Sequence, residues 1–138
     1  MSFREKSAWV MAALMLVTGA YYLMMVRDAS QALGTTAPAA VAIGFVMLVV
    51  IGSIVVQVLL AVMSPKEAAA PADEREALVT QRAGHWSGFV LAGGAVYALG
   101  HFLVRGDGNM LFHLVMGSLI VSQFAEYALQ ILLTRRTI

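Results

Sequence analysis

Apolar residues fall in four long blocks, Ser7–Val26, Ala39–Met63, Trp86–Val104 and Met110–Leu133, separated by short polar stretches. Each block is close to the roughly 20 residues that a helix rising 1.5 Å per residue needs to cross a ~30 Å hydrocarbon layer. The first three contain no Asp, Glu, Lys or Arg, and the fourth contains only Glu126. Helix is the form expected, because backbone amides in lipid must bond within their own segment. A barrel would show alternating strands of about ten residues, and these runs are continuous. The pattern therefore predicts an all-α integral membrane protein. It would be a four-helix bundle of two in–out–in hairpins, with residues 1–138 as one transmembrane domain.

The connections are short, and the longest, Ser64–His85, holds much of the charge. Pro65 ends the second helix. Ala68-Ala69-Ala70-Pro71-Ala72 reads as a small-residue linker. Asp73 is placed to cap a helix, with Glu76 three residues on as the acidic arm of a capping box. The third helix is thus expected to begin near Glu74 in the cytoplasm and run into the bilayer through Arg82 and Trp86. The charges Asp73, Glu74, Arg75, Glu76 and Arg82 have two readings. They form a well-capped helix extension, or a docking segment for a membrane or cytoplasmic protein partner. Arg105-Gly106-Asp107-Gly108-Asn109 is a turn by composition.

Composition agrees with the pattern. Hydrophobic residues are 60% of the chain, charged residues 12%, and mean hydropathy is +0.81. A water-soluble domain carries about 25% charged residues. The net charge of +1 leaves no basic field for nucleic acid. The absence of cysteine excludes disulfides, thiolate-bound zinc, iron–sulfur clusters and thiol catalysis. Arg4 and Lys6 before an apolar run resemble a signal peptide, but the run exceeds the 7–15 residues of a signal core, so a retained first helix is expected. Arg4, Lys6, Lys66, Arg75, Arg82, Arg135 and Arg136 lie on one side of the predicted membrane, and Arg27 and Arg105 on the other. This asymmetry places both termini and the central connection in the cytoplasm. Trp9 and Trp86 then sit at the cytoplasmic interface.

The halves look alike. Val49-Val50-Ile51-Gly52-Ser53-Ile54-Val55-Val56 matches Leu114-Val115-Met116-Gly117-Ser118-Leu119-Ile120-Val121, as in a parallel internal repeat or by chance among apolar helices. Asp73, Glu74, Arg75, Leu78, Arg82 and Ala83 precede a hydrophobic hairpin that ends in Gln130-Ile131-Leu132-Leu133-Thr134-Arg135-Arg136. This resembles a family of small, uncharacterised bacterial inner-membrane proteins with four helices. The resemblance implies a fold and a bacterial inner-membrane location, and no chemistry.

Glu126 is the one acid within a span. Ionisable groups there cost about 2.5–3.5 kcal/mol and mark function by default. Ser118, Ser122, Glu126 and Gln130 recur every four residues as one stripe, and Gln123 lies beside Glu126. The stripe should face protein or water. Antiparallel pairing puts Glu126 level with Gly88 and within a turn of His85. It is read as a packing carboxyl paired with His85 or Arg82, or as a proton or cation site. His101 and His113 flank the outer turn at one depth, as two interfacial imidazoles or as a shared metal, haem or relay site. Gly84-x-x-x-Gly88 has the spacing of close helix approach.

These features favour a non-enzymatic, homo-oligomeric accessory, scaffold or regulatory protein, with no cofactor, metal or catalytic residue assigned. The alternative is a small proton- or cation-coupled transporter using Glu126. Small multidrug exporters share the size, but their essential Glu lies in the first helix, where this chain has none. A redox subunit using His101 and His113 is the third reading.

Overall fold

The computed structural model describes residues 3–71 and 73–136; Ala72 of the linker and the two residues at each end of the chain lie outside them. The described residues form five helices: α1 (Phe3–Leu33), α2 (Val41–Met63), α3 (Pro65–Ala68), α4 (Glu74–Arg105) and α5 (Gly108–Arg136). All but α3 are long and apolar enough to cross a membrane.

Helix ends follow local chemistry. α1 outruns its apolar block, keeps Arg27 and Asp28 helical, and stops before Gly34 at φ +66°. That left-handed conformation carries no Cβ penalty in glycine. Pro65 leaves α2 behind and opens α3, the position where its missing N–H costs nothing. Asp73 precedes α4, and its carbonyl accepts from the Ala77 amide at 3.0 Å. Its side chain makes no capping bond, so the expected capping box does not form. Glu76 instead reaches Arg4 of α1, at 3.2 Å. Gly106, at φ +68°, closes α4 by donating its N–H to Phe102 O at 2.7 Å. The Asp107 carboxylate accepts from the Met110 amide at 3.1 Å and so caps α5. The expected five-residue turn thus contracts to Gly106 and Asp107.

The helices pack as a row, α2 against α1, α1 against α5, and α5 against α4. Each neighbouring pair is antiparallel, as the contacts along it show. Between α1 and α2, Ser7 meets Gln57, Gly52 lies opposite Leu14, and Tyr22 stacks on Phe45. Between α1 and α5, Glu5 meets Arg135, Ala8 and Ala12 pack on Ile131, Gly19 lies against Ile120, and Tyr22 meets His113. Between α4 and α5, Arg75 meets Thr134, Gly84 faces Glu126 and Gly94 lies on Ser118. α5 is therefore the inner helix that joins the two halves. The two repeat-like segments share one device, a serine that donates to the carbonyl four residues back, Ser53 to Val49 and Ser118 to Leu114. Their surroundings differ, because Ser118 is packed beneath α4 while Ser53 lines a groove.

Close approach is set by other glycines than the spacing indicated. Gly84 meets only the Glu126 carboxylate, 3.9 Å from where a Cβ would stand, and Gly88 has open space around it. At Gly94 a Cβ would lie 2.5 Å from the Ser118 Cβ, and at Gly19 it would lie 2.9 Å from Ile120 Cγ2. Gly94→Ala is expected to lower stability by about 1–3 kcal/mol through overpacking against Ser118. Gly88→Ala is expected to raise it by up to about 1 kcal/mol, since alanine is the better helix former. Thermal unfolding of both variants in one detergent checks the pair.

Candidate functional site

Three groups of polar side chains sit along the helix row. The first lies at the end that carries the start of α1, the start of α4 and the end of α5. Arg4 pairs with Glu76, Arg135 reaches Glu5 at 3.7 Å, and the Arg75 guanidinium donates to the Thr134 carbonyl at 3.1 Å. The Arg135 guanidinium also lies 5.3 Å from the centre of the Trp9 ring, within cation–π range. The Gln57 amide donates to the Ser7 hydroxyl at 2.9 Å and ties α2 to α1. Exposed pairs of this kind contribute about 0–1 kcal/mol each. Arg75 and Glu76 of the docking segment are thus engaged with their own chain, while Asp73, Glu74 and Arg82 are exposed.

The second group is the α5 stripe, and it faces α4. Ser118 lies beneath Gly94, Ser122 is buried, and Glu126 is half-buried with Gly84 beside its carboxylate. The Gln130 amide donates to Glu126 Oε1 at 3.3 Å. Glu126 is not brought to His85. That imidazole is exposed, with its ring edge-on to Phe89 at 5.0 Å and to Trp86 at 6.3 Å. The cause is the face of α4: Gly84 is turned toward α5 beside the Glu126 carboxylate, and His85, the next residue, stands about 100° round the helix on its exposed side. Gln123 does not join the stripe; it is exposed on another face of α5 and lines a groove toward α2.

The third group forms at the opposite end. His113 is buried, and both ring nitrogens are used. Nε2–H donates to the Ala37 carbonyl at 2.8 Å, which leaves Nδ1 to accept from the Tyr22 hydroxyl at 2.6 Å. A carbonyl can only accept, so this neutral tautomer satisfies both bonds. The Thr36 hydroxyl donates to Asp107, and the Ala39 amide donates to Asn109 Oδ1 at 3.2 Å. Ser30 accepts from the Ala37 amide at 3.1 Å. Together these bonds clasp the α1–α2 connection onto the start of α5. The Thr36 hydroxyl above all, and then the Met110 amide, hold the Asp107 carboxyl below the usual carboxylate range.

His101 and His113 do not come together as a pair. His101 turns its ring toward Tyr97, 6.5 Å away, and its buried Nδ1 has no hydrogen-bond partner among the described residues. Among those residues no three His, Asp or Glu side chains gather as a metal-ion site. Sequence pattern alone does not single out Tyr22, Thr36, Asn109 or Gln57. Gln57 carries a usable signal, as an isolated amide in a span without charge. The partners of Tyr22 and Thr36 lie far off in the chain, and no local pattern marks them.

Tyr22→Phe is expected to lower stability by about 1–3 kcal/mol, because it leaves a buried imidazole nitrogen without its donor. Unfolding by heat or denaturant measures it. The lowered Asp107 carboxyl sets the sign of an acid effect. Its contribution is whole above the unfolded carboxyl value of about 3.9 and is lost as pH falls through the lower folded value. The stability difference between wild type and Asp107→Asn should therefore be constant near neutrality and shrink below about pH 4. No family model, known protein or solved structure matches this chain.

Proposed function

We propose that this chain is a small, non-enzymatic integral membrane protein that acts as an oligomeric accessory, scaffold or regulator. By this reading it lies in a bacterial inner membrane with both termini and the central connection in the cytoplasm. The Lys/Arg asymmetry supports that orientation. Its Asp-Glu-Arg motif before the second helix pair supports a likeness to small four-helix bacterial membrane proteins. One observation carries the functional reading. The polar stripe of α5 is turned onto α4, and the Glu126 carboxylate is held by Gln130 beside Gly84. A carboxylate in that setting serves helix packing. Homo-oligomerisation uses the outer faces of α2 and α4, which the rest of the chain leaves largely uncovered. A protein partner of the cytoplasmic end would meet Asp73, Glu74 and Arg82, exposed charges of the docking segment.

The transporter reading makes a different demand on the same residue, so Glu126 separates the two. Glutamine at this position keeps an oxygen that can accept from Gln130, so Glu126→Gln is expected to hold wild-type stability within about 0.5 kcal/mol. Glu126→Leu removes the acceptor and is expected to cost about 1–3 kcal/mol. Thermal unfolding of both, alongside proton flux in liposomes, is the measurement. Proton flux that vanishes in a stably folded Glu126→Gln protein would overturn the scaffold reading in favour of coupled transport.

A further inference from the structure

A groove of about 590 Å³ lies between α2 and α5, floored by α1. Met11, Met15, Phe45, Val49, Met116 and Ile120 supply much of its apolar lining. Ser53, Gln123 and Tyr127 also line it. Concave, mostly apolar sites of about 300–1,000 Å³ with a few polar groups are the usual form of small-molecule sites.

The polar groups decide what the groove takes. Gln123 and Tyr127 are one turn apart on α5, so both face the same way. Among the described residues neither side chain has a hydrogen-bond partner. Gln123 stands between two levels of the α1–α5 packing, Gly19 with Ile120 and Ala12 with Ile131. That is the middle of the first apolar block. Tyr127 lies one turn nearer the charged end, against the Ala8, Ala12 and Ile131 cluster. An amide and a phenol inside an apolar layer have no water to bond, and leaving them unmet is costly. A phospholipid cannot supply the missing acceptor, because its polar groups remain at the surface and only its tail ends reach this level. The Ser53 hydroxyl already donates to Val49 O, so the free donors in the groove are the Gln123 amide and the Tyr127 hydroxyl. At its far end Phe45 is stacked on Tyr22 at 4.6 Å, and Tyr22 is fixed by His113. The groove is therefore stopped at that end and open along its side.

We propose that this groove binds a lipid-soluble carbonyl compound, an apolar molecule of quinone-like chemistry whose carbonyl oxygen accepts from Gln123 and Tyr127. The proposal rests on the chain spanning a membrane. A second copy of the chain offering a helix to Gln123 is the competing occupant, and the experiment distinguishes it.

Decylubiquinone is titrated into the detergent-solubilised full-length protein, with dodecane as an apolar control, and the unfolding midpoint is followed. Wild type should be stabilised in a dose-dependent way by decylubiquinone and not by dodecane. Gln123→Met and Tyr127→Phe, each preserving the volume, should weaken the apparent affinity about tenfold, the equivalent of one hydrogen bond. Circular dichroism of the unliganded variants establishes that they are folded, and either variant alone suffices. No midpoint rise in wild type, an equal rise with dodecane, or the same dose response in wild type and variants would overturn the site. So would a Gln123→Met protein that falls from oligomer to monomer while decylubiquinone leaves wild type unchanged, since a second copy then covers the amide. Carbonate extraction of the source membranes keeps the two readings apart. A protein that stays in the membrane and ignores the probe sinks the site alone, and a protein released by carbonate sinks the membrane reading and the site with it.

Discussion

Polar side chains on long apolar helices have to find partners on one another, and that need shapes nearly every specific contact in this protein. Apolar surface gives helices in lipid little reason to choose one neighbour over another, because lipid tails are as apolar as leucine. Direction and register come from the few polar groups and from places where backbones can come close. Here both kinds converge on α5. Its Glu126 face meets α4 across Gly84 and Gly94, and its opposite contacts with α1 pass through Gly19, Ala8 and Ala12. His113 at one end and Arg135 at the other pin it lengthwise to α1 and the α1–α2 connection.

The two ends are tied by different physics. The end with the charged helix termini uses ion pairs and a cation–π contact, which salt screens and water weakens. The other end uses a buried imidazole, a phenol and carbonyls, together with the capping carboxylate Asp107. Such bonds are individually modest, and their loss is costly because an orphaned buried group gains nothing in return. The clasp end is thus the more rigid by construction. The charged end can exchange its partners at little cost.

Much of this was legible in the sequence. Four apolar blocks, with Glu126 as their one charge, told of four long helices, the Gly106–Asp107 turn was marked by composition, and the four-residue recurrence of Ser118, Ser122, Glu126 and Gln130 announced a face turned toward protein or water. Which face of α4 meets the stripe was not legible. Gly84 and His85 are neighbours in sequence and stand about 100° apart round the helix, so one is turned to Glu126 while the other is left outside. Local signals also lost to distant partners. Asp73 and Glu76 have the spacing of a capping box, yet Arg4, far back at the start of α1, takes the Glu76 carboxylate. Gly84 and Gly88 have the spacing of close approach, yet Gly94 is the glycine on which another backbone leans. Spacing states which side chains share a face and is silent about what that face meets.

α2 is the long apolar helix with the fewest polar ties, and its placement reflects that. It carries no charge, and its side-chain hydrogen bonds to other elements come down to Gln57 with Ser7 among the described residues. Its packing is concentrated where Ala42 and Phe45 meet Tyr22, near the clasp. From that fixed end it stands away from α5, and the separation is the groove that exposes Gln123. In lipid, a helix anchored at one end and weakly held along its length can move aside at low cost, since apolar side chains lose little by meeting apolar tails. Tyr22 then does more than fill the core. Its hydroxyl fixes His113 and its ring carries Phe45, so one side chain sets both the clasp and the place from which α2 diverges.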